Sequence, residues 1–218
     1  VEAFRVKSLR ESPRRPGRYL LELSDGREFV VGVAVLADVG ATRIGAELTP
    51  DAVARLAEES VIAGLMDRAV DALARSRRTR TELESRLRRR EATPEQIRIA
   101  LDRLEASGIL SDEAVARAEA ASRFRRGEAP ARVRQQLRKK GVAAPRVAAA
   151  VAEALEEARE GGFDEQAACR AVAEKRMRSL MSLEPAVAER RLVAFLLRRG
   201  YAGSLVRHVA RDVLRRPE

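Results

Sequence analysis

The sequence predicts a mainly α-helical protein: three tandem three-helix repeats in an elongated or curved array, preceded by a small N-terminal antiparallel β-hairpin or sheet. Three observations lead there. Apolar residues follow a strand-like pattern up to about Val33, and helical spacing takes over from Thr49. A leucine followed by a run of cations recurs as Leu87-Arg88-Arg89-Arg90, Leu137-Arg138-Lys139-Lys140 and Leu197-Arg198-Arg199. Charged residues make up 35% of the 218 residues and aromatics only 3%, which suits short solvated helices built on aliphatic cores.

In chain order, Glu2 to Leu9 reads as a strand and Pro13-Arg14-Arg15-Pro16-Gly17 as a loop. Arg18–Leu23 and Glu28–Val33 read as strands joined through Ser24-Asp25-Gly26-Arg27, where Asp-Gly favours a two-residue hairpin. About three strands of this size are not stable alone, so residues 1–48 are expected to pack on the helical region C-terminal to them. Thr49, Pro50 and Asp51 are in turn an N-cap, a first helical position and a first-turn acid. A lead helix from about Pro50 to Ser76 is expected, with a possible break near Ser60 or Gly64 and an apolar face of Ile62, Leu65, Met66, Ala69, Val70 and Leu73.

Each recurrence of the leucine–cation motif closes a short helix, and a glycine comes next in the second and third, where a left-handed residue is wanted. A further amphipathic helix comes after each: Ile97, Ala100, Leu101 and Leu104; Val147, Val151, Leu155 and Ala158; Val206, Val209, Ala210, Val213 and Leu214. Longer helices open the units near Ile62, Asp112 and Asp164. Thr79 with Glu82 and Thr93 with Gln96 have capping-box spacing, Ser111 and Asp164 are N-caps, and Pro130, Pro145 and Pro185 sit early in helices. The expected organisation is a β-rich module at 1–48, the lead helix and first repeat at 49–110, the second repeat at 111–160 and the third at 161–218. Such units bury little individually and gain by packing side by side.

The net charge of +10 is unevenly placed. Residues 1–60 hold nine basic and ten acidic side chains, and residues 61–218 hold 34 and 23. The C-terminal portion is therefore expected to meet a polyanion or an acidic protein face. Candidate contacts are Arg123, Arg125, Arg126, Arg134, Arg138, Lys139, Lys140, Arg198 and Arg199. Helix-end cations match the macrodipole, but that accounts for one or two per helix and not the whole set. Arg86, Arg88, Arg89 and Arg90 form a further basic run in the first repeat. With Phe195 expected in the core, few aromatics remain for base stacking, so nucleic-acid contact would be to the backbone and sequence-tolerant.

Several classes are excluded. One Cys and one His form neither an internal disulfide nor a Cys/His zinc site, and no metal or cofactor is expected. No phosphate loop, dinucleotide fingerprint or HExxH motif is present. Cys169 reads as a small core residue, and His208 as a surface His whose sole nearby carboxylate is Asp212. Glu58-Glu59 and Glu156-Glu157 read as solvated charge. No apolar run spans a bilayer and residues 1–15 carry no secretory signal, so a cytoplasmic, non-enzymatic monomer is expected. Val1 in place of Met points to a processed, trimmed or alternatively started chain.

The chain resembles the RecX family, regulators of the RecA recombinase. The resemblance rests on Arg77-Arg78-Thr79-Arg80-Thr81-Glu82-Leu83-Glu84-Ser85-Arg86-Leu87, on Leu101-Asp102-Arg103-Leu104-Glu105-Ala106-Ser107-Gly108-Ile109-Leu110-Ser111-Asp112-Glu113 and on Ser122-Arg123-Phe124-Arg125-Arg126-Gly127. Val133–Val142 and Phe195–Tyr201 add to it. The family commonly has Asp-Asp at Ser111-Asp112, an aromatic near Val115, and Lys or a second Gly near Glu128-Ala129. The resemblance implies docking of three repeats into the groove of the RecA–DNA filament, mainly limiting ATP hydrolysis, filament growth and strand exchange. The partners would be the RecA filament and, weakly, the DNA backbone. Two other classes fit a basic helical chain: a helix-turn-helix transcription regulator and an RNA-binding structural protein. The regulator would place one recognition helix in the major groove, whereas the cations here are spread over three units.

Overall fold

The computed structural model describes residues 4–13, 15–88 and 92–215. Arg89 and Arg90 of the first basic run lie outside the described residues. The chain divides into two compact units, residues 1–110 and 111–218.

The first unit opens with strands β1 (Phe4–Glu11), β2 (Arg18–Leu23) and β3 (Glu28–Gly32), then helix α1 (Val33–Asp38) and the short strand β4 (Glu47–Leu48). The sheet is antiparallel in the order β3-β2-β1-β4, with a register shift between Val6 and Ser8 of β1. Two expectations are corrected. The sheet has four strands among the described residues, because Phe4 and Arg5 pair with Leu48 and Glu47; and Val33, expected to end a strand, begins α1. The β2–β3 turn is not a two-residue hairpin. Glu22 pairs with Glu28, Gly26 N donates to Leu23 O at 3.0 Å, and Gly26 alone has positive φ (87°). A type I′ turn needs both central residues at positive φ. Asp25 does not take it, so the loop widens to three residues with the glycine as bulge.

Helix α2 (Pro50–Arg75) serves two cores in succession. Its first part puts Val53 and Leu56 against Val6, Leu21, Leu23 and Val31 of the sheet. Its second part puts Ile62, Leu65, Ala69 and Ala72 against α3 (Arg80–Leu87) and α4 (Pro94–Ala106), forming the first three-helix repeat. Each large aliphatic taken fully from water contributes about 1.5–3 kcal/mol, so both halves are firmly held. No break occurs at Ser60 or Gly64: the Ser60 hydroxyl accepts from Val30 N at 2.9 Å and the helix continues through both. Arg15 reaches from the β1–β2 loop to Asp71 at 2.7 Å, tying the sheet to the same helix.

Glu59 also departs from expectation. Its side chain is only 15% exposed and receives Arg103 of α4 through two bonds of 2.6 and 2.8 Å. The hydrogen bond from Arg103 holds the Glu59 carboxyl below its ordinary value of 4.5, outweighing burial, which opposes the charge.

The second unit contains α5 (Asp112–Arg125), α6 (Pro130–Lys139) and α7 (Ala144–Glu160), then α8 (Glu165–Met177), α9 (Pro185–Arg198) and α10 (Gly203–Arg215). Phe124, Val133, Leu137, Val147 and Val151 centre one core; Leu180, Leu192, Leu196, Val206 and Val209 centre the other. The caps fall where the sequence puts them. Thr79 and Thr93 form full capping boxes, and the side chains of Thr49, Ser111 and Asp164 each accept a first-turn N–H.

Two outcomes test this architecture. Thr79 is fully buried as well as capping, so Thr79→Ala should lower the denaturation free energy by about 1–2 kcal/mol in urea titrations. Because the folded carboxyl of Glu59 is depressed, its contribution is full above about pH 4.5 and is lost as pH falls through the folded value. Glu59→Gln should therefore lower the melting temperature at pH 7 and flatten its decline below pH 4.5, read by thermal melts across pH.

Candidate functional site

The second and third repeats are joined at one turn. After α9 the chain turns through Gly200 (φ 88°), and Tyr201 N returns to Leu196 O at 3.4 Å. The Tyr201 ring is buried in the third core, and its hydroxyl donates to Gly127 O at 2.9 Å, on the turn that closes α5. Burial, with the Cys169 thiol a smaller contributor, pushes that hydroxyl's pKa up to about 12. Gly200 packs so tightly on α6 that an added Cβ would lie 2.8 Å from Arg132 N. Ala129, just before α6, belongs to the third repeat's core. The basic ends of α5 and α9 and the start of α6 are thereby positioned by one joint.

The sequence-predicted cations divide into three groups. Arg123 is only 15% exposed and is spent inside the fold, bonding Glu119 at 2.8 Å and Glu128 at 2.9 Å. Burial works against its charge, but the hydrogen bonds to Glu128 and Glu119 outweigh it and raise its pKa. Arg126 lies 3.8 Å from Glu128, and Lys140 lies 3.7 Å from Glu119. Arg132 also faces Glu128, at 3.6 Å. Glu128 is thus the hub of an internal ion network.

Arg125, Arg134, Arg138, Lys139 and Arg198 are exposed, and among the described residues none has an ion-pair partner. Arg134 and Arg138 are one turn apart on α6, immediately after the buried Val133 and Leu137, so they line one edge of that helix. Arg134 also borders a groove of about 520 Å³ with Pro130, Leu155, Tyr201 and Glu165. Arg125 borders a second hollow, of about 510 Å³, lined also by Phe124, Phe163 and Glu157. In the first repeat Arg88, of the run at Arg86 and Arg88, pairs with Glu84.

Arg199 is held differently. Its guanidinium carbon lies 5.0 Å from the Phe195 ring centroid, and that of Arg176, on α8, lies 5.2 Å from the same centroid. Phe195, expected in the core, packs partly buried against the third repeat's core and also serves as the support for two cations. The Arg199 contact is legible from i, i+4 spacing; Arg176 is not, because only packing brings α8 to α9. The Arg176 Nε is buried without a hydrogen-bond partner.

Cys169 is buried, and desolvation, with Glu165 secondary, pushes its thiol up to about 11; at neutral pH it is a packed thiol, not a nucleophile. His208 is 60% exposed with Nε2 3.4 Å from Asp212, which also receives Arg170 at 2.8 Å. The described residues contain no His/Cys/Asp/Glu group suited to a metal, and no described helix is long and apolar enough to cross a membrane.

Fold and surface define a tandem three-helix-repeat protein with a cationic second unit. Comparison with known proteins makes this specific. Residues 111–151 match the second three-helix domain of RecX and residues 164–209 the third. The regulatory protein RecX of Thermobifida fusca is 36% identical over 143 residues, covering 65% of this chain and 74% of the relative. That of Halorhodospira halophila is 35% identical over 144 residues, covering 66% and 84%. The chain belongs to the RecX family of regulatory proteins. The match to RecX of Pseudomonas fluorescens SBW25 is 43% identical over 74 residues, 34% of this chain, and spans about half (48%) of that relative's length. A RecX crystal structure superposes with a TM-score of 0.77 at 22% identity, covering 96% of this chain and 99% of that one, which shows the shared fold. RecX from Lactobacillus salivarius gives 0.58 at 17% identity, over 70% of this chain and 96% of that one.

The joint can be tested directly. Tyr201→Phe removes one buried hydrogen bond and should cost about 0.5–1.5 kcal/mol. Gly200→Ala meets both the left-handed backbone and Arg132, and should cost more, about 1–3 kcal/mol. Urea unfolding of the two variants gives the order; the reverse order would mean that Gly200 is not tightly confined.

Proposed function

We propose that this chain is a modulator of the RecA recombinase, mainly a negative one, that seats its basic repeats in the groove of the RecA–DNA filament and limits ATP hydrolysis, filament growth and strand exchange. The observation that carries this reading is the set of five partnerless cations on two adjoining repeats, Arg125, Arg134, Arg138, Lys139 and Arg198. Family membership supports a regulatory role, and the sequence resemblance supplies RecA as the target.

The physical case is one of unspent charge. Where this fold needs an internal ion pair it provides one: Arg80 with Asp102 and Glu105, Arg103 with Glu59, Arg123 with Glu119 and Glu128. The cations left over stand at the ends of α5 and α9 and along α6. Solvated like charges brought together repel one another, and an anionic surface offsets that cost while steering association. A filament of protein and nucleic acid offers carboxylates and phosphates along one groove, and cations on successive repeats match such a target better than a single recognition helix does.

The test is the DNA-dependent ATPase of the matching RecA with sub-stoichiometric amounts of this protein. Hydrolysis should fall as the ratio rises, and no change at any ratio would sink the proposal. Charge reversal at Arg134, Arg138 and Lys139 together should weaken the inhibition severalfold with the helical circular dichroism unchanged, because none of the three is spent on folding.

A further inference from the structure

We infer that the third repeat carries a phosphodiester-binding clamp built from Arg176 and Arg199 on Phe195, extended along α9 by Arg191 and Arg198. The clamp deepens the RecA reading, on which it rests, by assigning the nucleic-acid part of the contact to one place, and it is testable without RecA.

The Phe195 ring is the centre of the clamp. Two guanidinium groups lie 5.2 and 5.0 Å from its centroid. Each gains from the negative face of the ring, and stacking fixes the plane of a side chain that would otherwise sample many rotamers. No carboxylate among the described residues pairs with Arg176, Arg191, Arg198 or Arg199. Elsewhere in this unit comparable arginines are neutralised: Arg117 has Glu113 and Glu153, Arg123 has Glu119 and Glu128, and Arg170 has Asp212. Around Phe195 the fold orients two cations and supplies no anion. A pre-oriented guanidinium offers two parallel N–H donors, the pattern that receives phosphate oxygens in bidentate fashion.

The layout of the cluster favours a phosphate backbone over an isolated carboxylate. Arg191, Phe195, Arg198 and Arg199 stand at i, i+4, i+7 and i+8, one face of α9, beside the buried row of Ala188, Leu192 and Leu196. Helix-dipole matching explains cations in the last turn but not Arg191, two turns earlier. From Arg191 to Arg198 the helix rises about 10 Å at ~1.5 Å per residue, the axial rise of about three base pairs of duplex at ~3.4 Å each. A row of cations without interleaved carboxylates suits a regularly spaced polyanion. With guanidiniums against Phe195 the ring is not open to stack a base, so binding is to the backbone and tolerant of sequence.

The experiment uses the full chain and fluorescent oligonucleotides of mixed sequence, single- and double-stranded, in anisotropy titrations over a range of salt. Arg176→Ala combined with Arg199→Ala should reduce the slope of log affinity against log salt by about 1.4 for single strands and about 1.8 for duplex, the release of two phosphates' counterions. Phe195→Leu keeps the charges and loses the stacking, so affinity should fall severalfold with the slope preserved. Arg10→Ala, an exposed cation of the sheet, is the control and should leave the slope unchanged. Circular dichroism establishes that each variant is folded. A double variant with the wild-type slope overturns the clamp, as does wild-type protein without salt-dependent binding. If the double variant loses RecA inhibition while its slope is unchanged, the cluster meets an acidic protein face and the phosphate assignment falls. If the slope shifts as expected while wild-type protein leaves the RecA ATPase unchanged, the clamp stands and the RecA reading falls.

Discussion

The hydrogen bond from Tyr201 to the Gly127 carbonyl, with Gly200 pressed against the backbone of Arg132, is the constraint on which the second unit depends. A three-helix unit of about fifty residues is near the lower limit for an independent core. Here the third repeat takes in Ala129 from its neighbour, and the neighbour receives the Tyr201 hydroxyl in return. The contact requires a residue without a side chain at Gly200 and an aromatic with a polar tip at Tyr201. The basic ends of α5 and α9 meet the start of α6 at this joint, so the same turn that holds two repeats together also sets where Arg125 and Arg198 stand.

Charge in this protein has two destinations, and residue type does not decide between them. Arg123 and Arg125 are two positions apart at the end of one helix. The first turns inward to Glu119 and Glu128; the second stays exposed at the edge of a hollow. Glu128 makes the difference, drawing Arg123, Arg126 and Arg132 toward the turn. Without that carboxylate Arg126 and Arg132 would be free while Arg123 kept Glu119, so the second repeat here presents a narrower basic surface than its count of arginines implies. The third repeat has no such hub around Phe195, and its arginines are oriented by an aromatic ring instead of by carboxylates.

Much of the fold was legible because it rests on local chemistry. Thr49, Thr79, Thr93, Ser111 and Asp164 cap helices through bonds that span two or three residues, and Gly141 and Gly200 end helices at φ of 82° and 88°. The errors came where one local signal met a longer-range demand. Asp25-Gly26 is a strong hairpin pair, but the bond from Leu23 N to Arg27 O leaves three residues to span. Glu58-Glu59 looked like solvated charge until packing of α4 on α2 put Arg103 on Glu59.

By itself the sequence determined the helical repeats, their caps and turns, and the concentration of basic charge after residue 61, since each comes from spacing within a dozen residues or from composition. Only the tertiary structure decided which cations are available. Whether an arginine is spent or free depends on a carboxylate or a ring brought from another helix, as Asp212 is brought to Arg170 and Phe195 to Arg176. Those contacts join residues 42 and 19 positions apart in the chain, and packing between helices, which carries no periodic signal along the sequence, is what creates them.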